Sequence, residues 1–181
     1  DPLRAEAKDA ICALHACGIS KVVMMTGDNR RTAASVAEEV GVDEFYAEVL
    51  PEDKAAFIRR EKAAGRTVIM IGDGVNDSPA LSEADAGVAI STGAAIAREI
   101  ADITIASEDL FELVTLRRIS EALMGRVHRN CRFIVGFNLG LIVFGVAGLL
   151  PPTTSALLHN ASTLAISLKS MTNLLPDKKN I

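Results

Sequence analysis

The chain has few of the residues that mark nucleic-acid-binding, disulfide-bonded or secreted proteins. Trp is absent, Tyr46 is the only tyrosine, and the formal net charge is only −4. Neither a basic footprint nor an aromatic base-stacking platform is therefore present, and nucleic acid is not an expected partner. The 3 cysteines show no CxxC spacing, which indicates reduced thiols. No basic segment followed by an apolar stretch opens the chain, so no signal peptide is predicted.

Charge is missing from one long segment near the C-terminus. Phe133–Leu150 carries no charged residue and is near the length that crosses a bilayer as a helix. A second apolar span, Ser155–Leu175, holds polar side chains that must face other helices. Basic residues before the first span, and Lys178 and Lys179 after the second, place both ends in the cytoplasm. The sequence predicts a multi-pass protein of the cell membrane, with residues 1–132 cytoplasmic and the lipid bilayer as a partner.

The segment before these spans alternates between short apolar runs and helix-like stretches. This alternation predicts a doubly wound, mostly parallel, Rossmann-like α/β sheet at residues 1–115. A basic linker helix is expected at 116–132, and a transmembrane helix hairpin at 133–181. The predicted strands are Lys21–Met25, Phe45–Val49, Thr67–Ile71, Gly87–Ile90 and Ile103–Ala106.

Two acidic loops follow predicted strands, where ligands bind in sheets of this kind. TGDN begins at Thr26, and GDGVNDSPAL begins at Gly72. Asp73 and Asp77 of the second loop are suited to a Mg²⁺ ion, which prefers carboxylates, waters and a substrate phosphate. Thr26 can hydrogen-bond a phosphoryl oxygen, and Lys54 of PEDK offers a positive anchor. The alternative is that TGDN is only a turn and Lys54 only a solvated surface residue.

The strings TGDN, PEDK and GDGVNDSPAL, in this order, resemble the C-terminal half of the phosphorylation domain of P-type cation-transporting ATPases. These pumps are members of the haloacid dehalogenase (HAD) superfamily. The later strings ADAGVAIS and AREIADI resemble the heavy-metal branch of these pumps. The resemblance implies that 1–115 is a partial phosphorylation domain followed by the last two membrane helices. It also implies roles for individual residues: Asp73 as the direct Mg²⁺ ligand, Asp28 and Asp77 as supporting acids, Thr26 and Lys54 as phosphate holders, Asn76 in phosphate hydrogen bonding, and Gly27, Gly72 and Gly74 as loop-shaping glycines.

One part of the resembling family's chemistry is not in this chain. The reactive aspartate of the family lies in Asp-Lys-Thr-Gly-Thr, and this string does not occur here. The resemblance thus implies an ATPase whose nucleophile and main ATP-binding domain come from missing N-terminal parts of the same pump. A start at Asp1 rather than Met fits a fragment or a processed chain. The alternatives are a membrane-anchored, HAD-like module that is inactive alone, and a soluble HAD-type phosphatase, which would need its own early nucleophile.

The transported ion is expected to be a transition metal, with Zn²⁺ or Cd²⁺ favoured. His159 and Asn160 lie inside the second apolar span, where a polar side chain indicates a functional site. A neutral imidazole suits transition metals better than alkali ions, so these two residues are candidate ligands of the transported metal. The alternative is that they form interhelical hydrogen bonds only.

Overall fold

The computed structural model describes residues 6–72, 75–90, 99–105 and 109–174. Helices and strands alternate through the first of these ranges, and two long helices close the chain. The helices are α1 (Ala7–Ala16), α2 (Arg30–Val40), α3 (Pro51–Ala63), α4 (Ser78–Glu83), α5 (Phe111–Val146) and α6 (Pro152–Ser170). The strands are β1 (Val23–Met25), β2 (Glu44–Tyr46), β3 (Ile69–Gly72), β4 (Ala86–Ile90) and β5 (Ile103–Ile105).

All strand pairs in the described part of the chain are parallel, in agreement with the predicted, mostly parallel sheet. β1 pairs with β2, while β3, β4 and β5 form a second sheet in that order. Each connection between paired strands is long enough to contain a crossover, which parallel pairing requires. The predicted α/β class is therefore confirmed.

An aspartate stands immediately before β2, β4 and β5, and each accepts a hydrogen bond from the neighbouring strand. Asp43 Oδ2 accepts from Val22 N at 2.6 Å, and Asp85 Oδ2 accepts from Val68 N at 2.8 Å. Asp102 Oδ2 accepts from Gly87 N at 2.8 Å. Each carboxylate satisfies an N–H that would otherwise lack a partner at the amino end of the ladder. These acids have a structural role, unlike those at the carboxyl ends of the strands.

Short-range contacts set where α2 and α3 begin and where α2 ends. α2 follows the Thr26 loop, and α3 precedes β3 and the loop after it. Asn29 caps α2 by accepting from Thr32 N at 3.0 Å, and Gly41 ends that helix with φ +79°. Pro51 opens α3 at a position where a missing N–H costs nothing. Asp53 Oδ2 accepts from Leu50 N at 3.1 Å, which closes the first turn of α3. Lys54 is held in this turn.

The core of the α/β part lies between the helices and the sheets. Ile58 of α3, Leu81 of α4 and Val88 of β4 are almost completely buried. Gly87 is required by this packing, since a Cβ there would lie 2.7 Å from the Leu81 carbonyl oxygen. The interlocked packing of α3, α4 and β4 positions the residues that follow β3.

The chain divides into two compact units, Asp1–Thr115 and Leu116–Ile181. In the second unit, α5 and α6 are joined by a turn in which Gly148 has φ +73°. Arg126 of α5 donates to the carbonyl oxygens of Ser170, Thr172 and Asn173 at 2.6–2.9 Å, where α6 ends. The second span was predicted to reach Leu175, but α6 ends at Ser170, and Leu175 lies outside the described residues.

The apolar side chains of the second unit are largely uncovered. On α5, Phe133, Ile134 and Val135 are 54%, 39% and 67% exposed, and consecutive residues of an α-helix point in directions about 100° apart. A helix that is apolar on all sides is typical of a membrane span. Within the described part of the chain, α5 is the one helix whose length and hydropathy suffice to cross a membrane.

Candidate functional site

The Thr26 loop is a closed hydrogen-bonded turn at the carboxyl end of β1. Thr26 Oγ1 donates to Asp28 Oδ2 at 3.0 Å and accepts from Asp28 N at 3.1 Å. The segment after β2 is bound to the same loop, because Val49 N donates to the Thr26 carbonyl and Glu48 N donates to the Asp28 carbonyl. The turn is thus fixed from both sides, with Thr26 half-buried and Asp28 exposed.

Glu48 is a feature of this loop that sequence reasoning missed. Its φ of 57° lies in the left-handed region, which a glutamate rarely adopts. Nothing in the string AEVLPEDK marks this conformation, because the residue is not glycine or asparagine. The backbone bond from Glu48 N to Asp28 O, at 2.9 Å, holds the strained residue in place.

Lys54 and Asp77 form an ion pair that joins the start of α3 to the loop after β3. Lys54 Nζ lies 2.7 Å from Asp77 Oδ1, and the two side chains are only 16% and 13% exposed. The alternative prediction was that Lys54 is only a solvated surface residue. The structure contradicts this alternative, because Lys54 is mostly buried and paired. An ion pair that is largely buried from solvent holds both charged groups in fixed positions.

Gly72 makes room for Asp77. A Cβ on Gly72 would lie 2.8 Å from both Cβ and Oδ2 of Asp77, so no side chain fits without moving the carboxylate. Gly27 in the other loop is different, because its nearest neighbour would be the Val49 carbonyl at an ordinary 3.9 Å. The predicted loop-shaping role therefore has a steric basis at Gly72 but not at Gly27.

The remaining sequence-predicted residues of this site are not brought together. Asn76 is exposed, and Asp73 and Gly74 lie outside the described residues. Among the residues that the structure covers, no hydrogen bond joins the Thr26 loop to Lys54 or Asp77. No group of three or more His, Cys, Asp or Glu side chains able to hold a metal occurs there either. The structure thus shows two parts of the predicted site, each with its own internal order.

The carboxylates with shifted pKa values lie away from these loops. The pKa of Glu61 is lowered, first because Arg66 donates hydrogen bonds to it at 2.6 and 3.1 Å. The pKa of Asp85 is lowered, first by the hydrogen bond from Val68 N. Both groups support the fold, which agrees with their places at a helix end and a strand start.

A second polar pair joins the two helices of the C-terminal unit. His159 Nδ1 lies 2.8 Å from Asn138 Oδ1. Because an amide oxygen accepts, Nδ1 is the donor in this contact, and a neutral imidazole in this arrangement has its lone pair on Nε2. Thr163 donates to the His159 carbonyl at 3.0 Å, so its hydroxyl turns back onto its own helix. Asn160 is exposed, and no described residue hydrogen-bonds to its side chain.

The comparisons with known proteins agree on fold and relationship. Residues 1–85 match the hydrolase family described as haloacid dehalogenase-like hydrolase. The chain is 40% identical over 94% of its length to the manganese-exporting P-type ATPase of Mycobacterium bovis, covering 24% of that protein. It is 42% identical over 99% of its length to the copper-exporting P-type ATPase of Staphylococcus aureus, covering 22% of it.

A solved structure shows the same likeness across both units. A zinc-transporting PIB-type ATPase, crystallised in its E2.Pi state, matches 94% of this chain with a TM-score of 0.88 and 33% identity. The chain covers 28% of that structure. It therefore spans about a quarter of the length of the relatives it matches.

The parallel sheets agree with the haloacid dehalogenase-like family, whose model matches residues 1–85. The chain is similar to heavy-metal P-type ATPases over nearly its whole length, which confirms the resemblance predicted from TGDN, PEDK and GDGVNDSPAL.

Proposed function

We propose that this chain is the Mg²⁺- and phosphate-holding part of an ATP-driven exporter of a divalent transition metal, together with a membrane helix hairpin. The observation that carries the proposal is the Lys54–Asp77 pair at the carboxyl end of β3, with 2.7 Å between Nζ and Oδ1. It places a fixed cation and a fixed carboxylate at the edge of a parallel sheet where ligands bind. Phosphoryl transfer depends mainly on such positioned charges.

The roles of the loop residues follow from their chemistry. The Thr26 hydroxyl and the amide near Gly27 bind a phosphoryl oxygen, and Lys54 neutralises part of its charge. Asp73 and Asp77 hold Mg²⁺, since carboxylate oxygens are its preferred ligands and Gly72 lets Asp77 approach closely. When bound, Mg²⁺ supplies charge neutralisation for the phosphoryl group. Asp28 holds the Thr26 hydroxyl in place, and Asn76 is a further hydrogen-bonding group.

The reactive aspartate enters on a strand that this chain does not provide. β1 pairs only with β2, and β3 pairs only with β4, among the described strands. Each sheet thus has an open edge beside a site loop. Ile69 and Ile71 on β3 are 46% and 40% exposed, and β3 has no partner strand on its other side among the described residues. We propose that the nucleophile-bearing strand pairs with these open edges and brings its aspartate between Thr26 and Asp77.

The metal path runs beside the Asn138–His159 pair. The hydrogen bond to Asn138 orients the imidazole and leaves Nε2 as a ligand. Asn160 supplies an amide oxygen on the same helix. No Cys or Met occurs between Arg132 and Ser170, so this part of the hairpin offers nitrogen and oxygen donors but no sulfur. This set favours a divalent ion such as Zn²⁺ over Cu⁺, which selects thiolate and thioether ligands.

The experiment uses the full-length pump that contains this sequence. His159→Ala should abolish metal-stimulated ATP hydrolysis while leaving phosphorylation by inorganic phosphate and Mg²⁺ intact. His128→Ala is the matched control, because His128 is an exposed histidine before the uncharged run. Metal stimulation that survives in His159→Ala with unchanged affinity for Zn²⁺, Cd²⁺ and Mn²⁺ would refute the assignment.

The membrane placement is proposed separately. α6 contains 19 residues and is about 28 Å long, close to the thickness of a bilayer core. We propose that α5 and α6 form a multi-pass hairpin, with residues 1–132 cytoplasmic. A cysteine introduced at Thr153 should react with an impermeant reagent from outside the cell, and one at Lys178 only from inside. Reaction of both from the same side would refute the hairpin.

A further inference from the structure

The two C-terminal helices enclose a basic groove at one end of the hairpin. Its volume is about 470 Å³, which is within the range of small-ligand sites. The groove belongs entirely to the second compact unit. Its lining includes Arg126, Arg129, Asn130, Phe133, Ile166 and Lys169.

The positive charge of this groove is not balanced by the chain around it. From residue 122 to residue 174 the sequence contains no Asp or Glu. Arg126 donates its hydrogen bonds to carbonyl oxygens at the end of α6 and keeps its charge. The side-chain nitrogens of Arg129 and Lys169 have no ion-pair partner among the described residues. Cations gathered without a counter-charge repel one another, and an anion in the groove relieves this repulsion.

The groove changes from basic to apolar along its length. Phe133 is the first residue of the uncharged run, and Ile166 of α6 lines the same groove. Asn130 donates to Ser170 Oγ at 2.9 Å and so closes the groove on the polar side. A ligand that fits this arrangement has an anionic group at one end and hydrocarbon at the other. Basic pockets between membrane helices on the cytoplasmic side bind lipid headgroups of this kind.

We propose that the groove binds the phosphodiester headgroup of an anionic phospholipid, with Arg129 and Lys169 as the phosphate contacts. The glycerol and the start of the acyl chains lie against Phe133 and Ile166. A free phosphate ion would use the same cations but would gain nothing from the apolar wall. This inference rests on the membrane placement proposed above and does not depend on metal transport.

The test measures lipid binding to the full-length pump by native mass spectrometry in detergent, with phosphatidylglycerol and phosphatidylcholine as probes. The test variant is Arg129→Gln with Lys169→Gln. The matched control is Arg118→Gln with Arg132→Gln, which removes the same charge from α5 outside the groove. We expect the test variant to bind phosphatidylglycerol about 25-fold more weakly, roughly fivefold for each lost cation. The control should change this affinity less than twofold.

Three results would overturn the lipid site. One is equal affinity for the two lipids, another is an equal loss in test and control variants, and the third is displacement of phosphatidylglycerol by inorganic phosphate, which would show a free-anion site. Lys169→Arg should retain binding, which separates loss of charge from loss of fold. Flotation of the pump with lipid vesicles is measured in parallel. A pump that fails to float refutes the membrane placement itself, whereas a floating pump without lipid selectivity refutes only the lipid site.

Discussion

Lys54 Nζ lies 2.7 Å from Asp77 Oδ1, although the two residues are 23 positions apart in the sequence. The contact joins α3 to the loop that follows β3, and both side chains are mostly buried. A second ion pair joins nearly the same elements, from Arg59 of α3 to Glu83 of α4 at 3.2 Å, but Arg59 is 59% exposed. Because the two ion pairs join nearly the same elements, a comparison of their strengths isolates the effect of burial.

Lys54→Met should destabilise the contact between α3 and α4 by about 1–3 kcal/mol, because it leaves the Asp77 carboxylate without its cation. A double-mutant cycle with Asp77→Asn should give a coupling free energy of about 1–2 kcal/mol. Hydrogen exchange of the Ile58 and Leu81 amides in the full chain measures both.

The Arg59–Glu83 cycle is the control. Its coupling free energy should stay below about 1 kcal/mol and should fall further as salt is added. Equal coupling in the two cycles would show that burial does not strengthen the Lys54–Asp77 pair.

Gly72→Ala should move Asp77 and break its contact with Lys54, because the added Cβ would lie 2.8 Å from Asp77 Oδ2. The expected destabilisation is about 1–3 kcal/mol, as for other over-packed sites. In the pump proposed above, Mg²⁺-dependent phosphorylation should fall together with stability. Gly27→Ala is the matched variant, and it should fold normally because its nearest contact is at 3.9 Å. A Gly72→Ala protein with unchanged unfolding temperature and unchanged phosphorylation would contradict the steric argument.

Asp102→Ala should destabilise β4 by about 1–2 kcal/mol, because the buried N–H of Gly87 loses its acceptor. Asp102→Asn keeps an acceptor oxygen and should cost less. The exchange rate of the Gly87 amide distinguishes the two variants directly. If the amide exchanges equally fast in Asn and Ala variants, the carboxylate does not cap the strand.

The Glu61–Arg66 pair should contribute stability only above acid pH. The pKa of Glu61 in the folded protein is lowered from its ordinary 4.5 by the hydrogen bonds from Arg66. Its contribution is therefore complete above about pH 4.5 and is lost as pH falls through the lower, folded value.

Arg66→Gln should consequently unfold at lower temperature than the parent chain at pH 7, and the difference should shrink below pH 4.5. Arg60→Gln keeps the direct partner of Glu61 and serves as the control. A difference in unfolding temperature that is the same at pH 7 and pH 3.5 would mean that the pair does not titrate as argued.

The alternation of strands and helices along the sequence was predictable because apolar runs and turn residues alternate so regularly. The residues at which the strands begin and end were less predictable. The predicted strand from Lys21 begins at Val23, because Val22 N is bound by the Asp43 side chain rather than by the ladder. The strand expected to reach Val49 ends at Tyr46, because residues 48 and 49 bind the Thr26 loop instead. Both errors come from contacts with residues about 20 positions away, which local periodicity does not contain.

The family was predictable from residue types and their order, whereas the geometry of the candidate site was not. The order of Thr26, Lys54 and Asp77 was sufficient to indicate the family, and their phosphate chemistry stays a prediction. That Lys54 pairs with Asp77 depends on how α3 packs against α4, and no short-range signal encodes this. The same holds for the bond between His159 and Asn138, which depends on the register of two helices.

The open edge of β3 has a consequence for a chain that lacks the neighbouring strand proposed above. Ile69 and Ile71 sit on that edge with free backbone groups on one side, and such an edge is a template for another copy of itself. Newly made or cleaved protein should therefore associate into oligomers in a concentration-dependent way. The edge that the proposed strand would cover is thus also the edge at which two copies of the uncovered chain would pair.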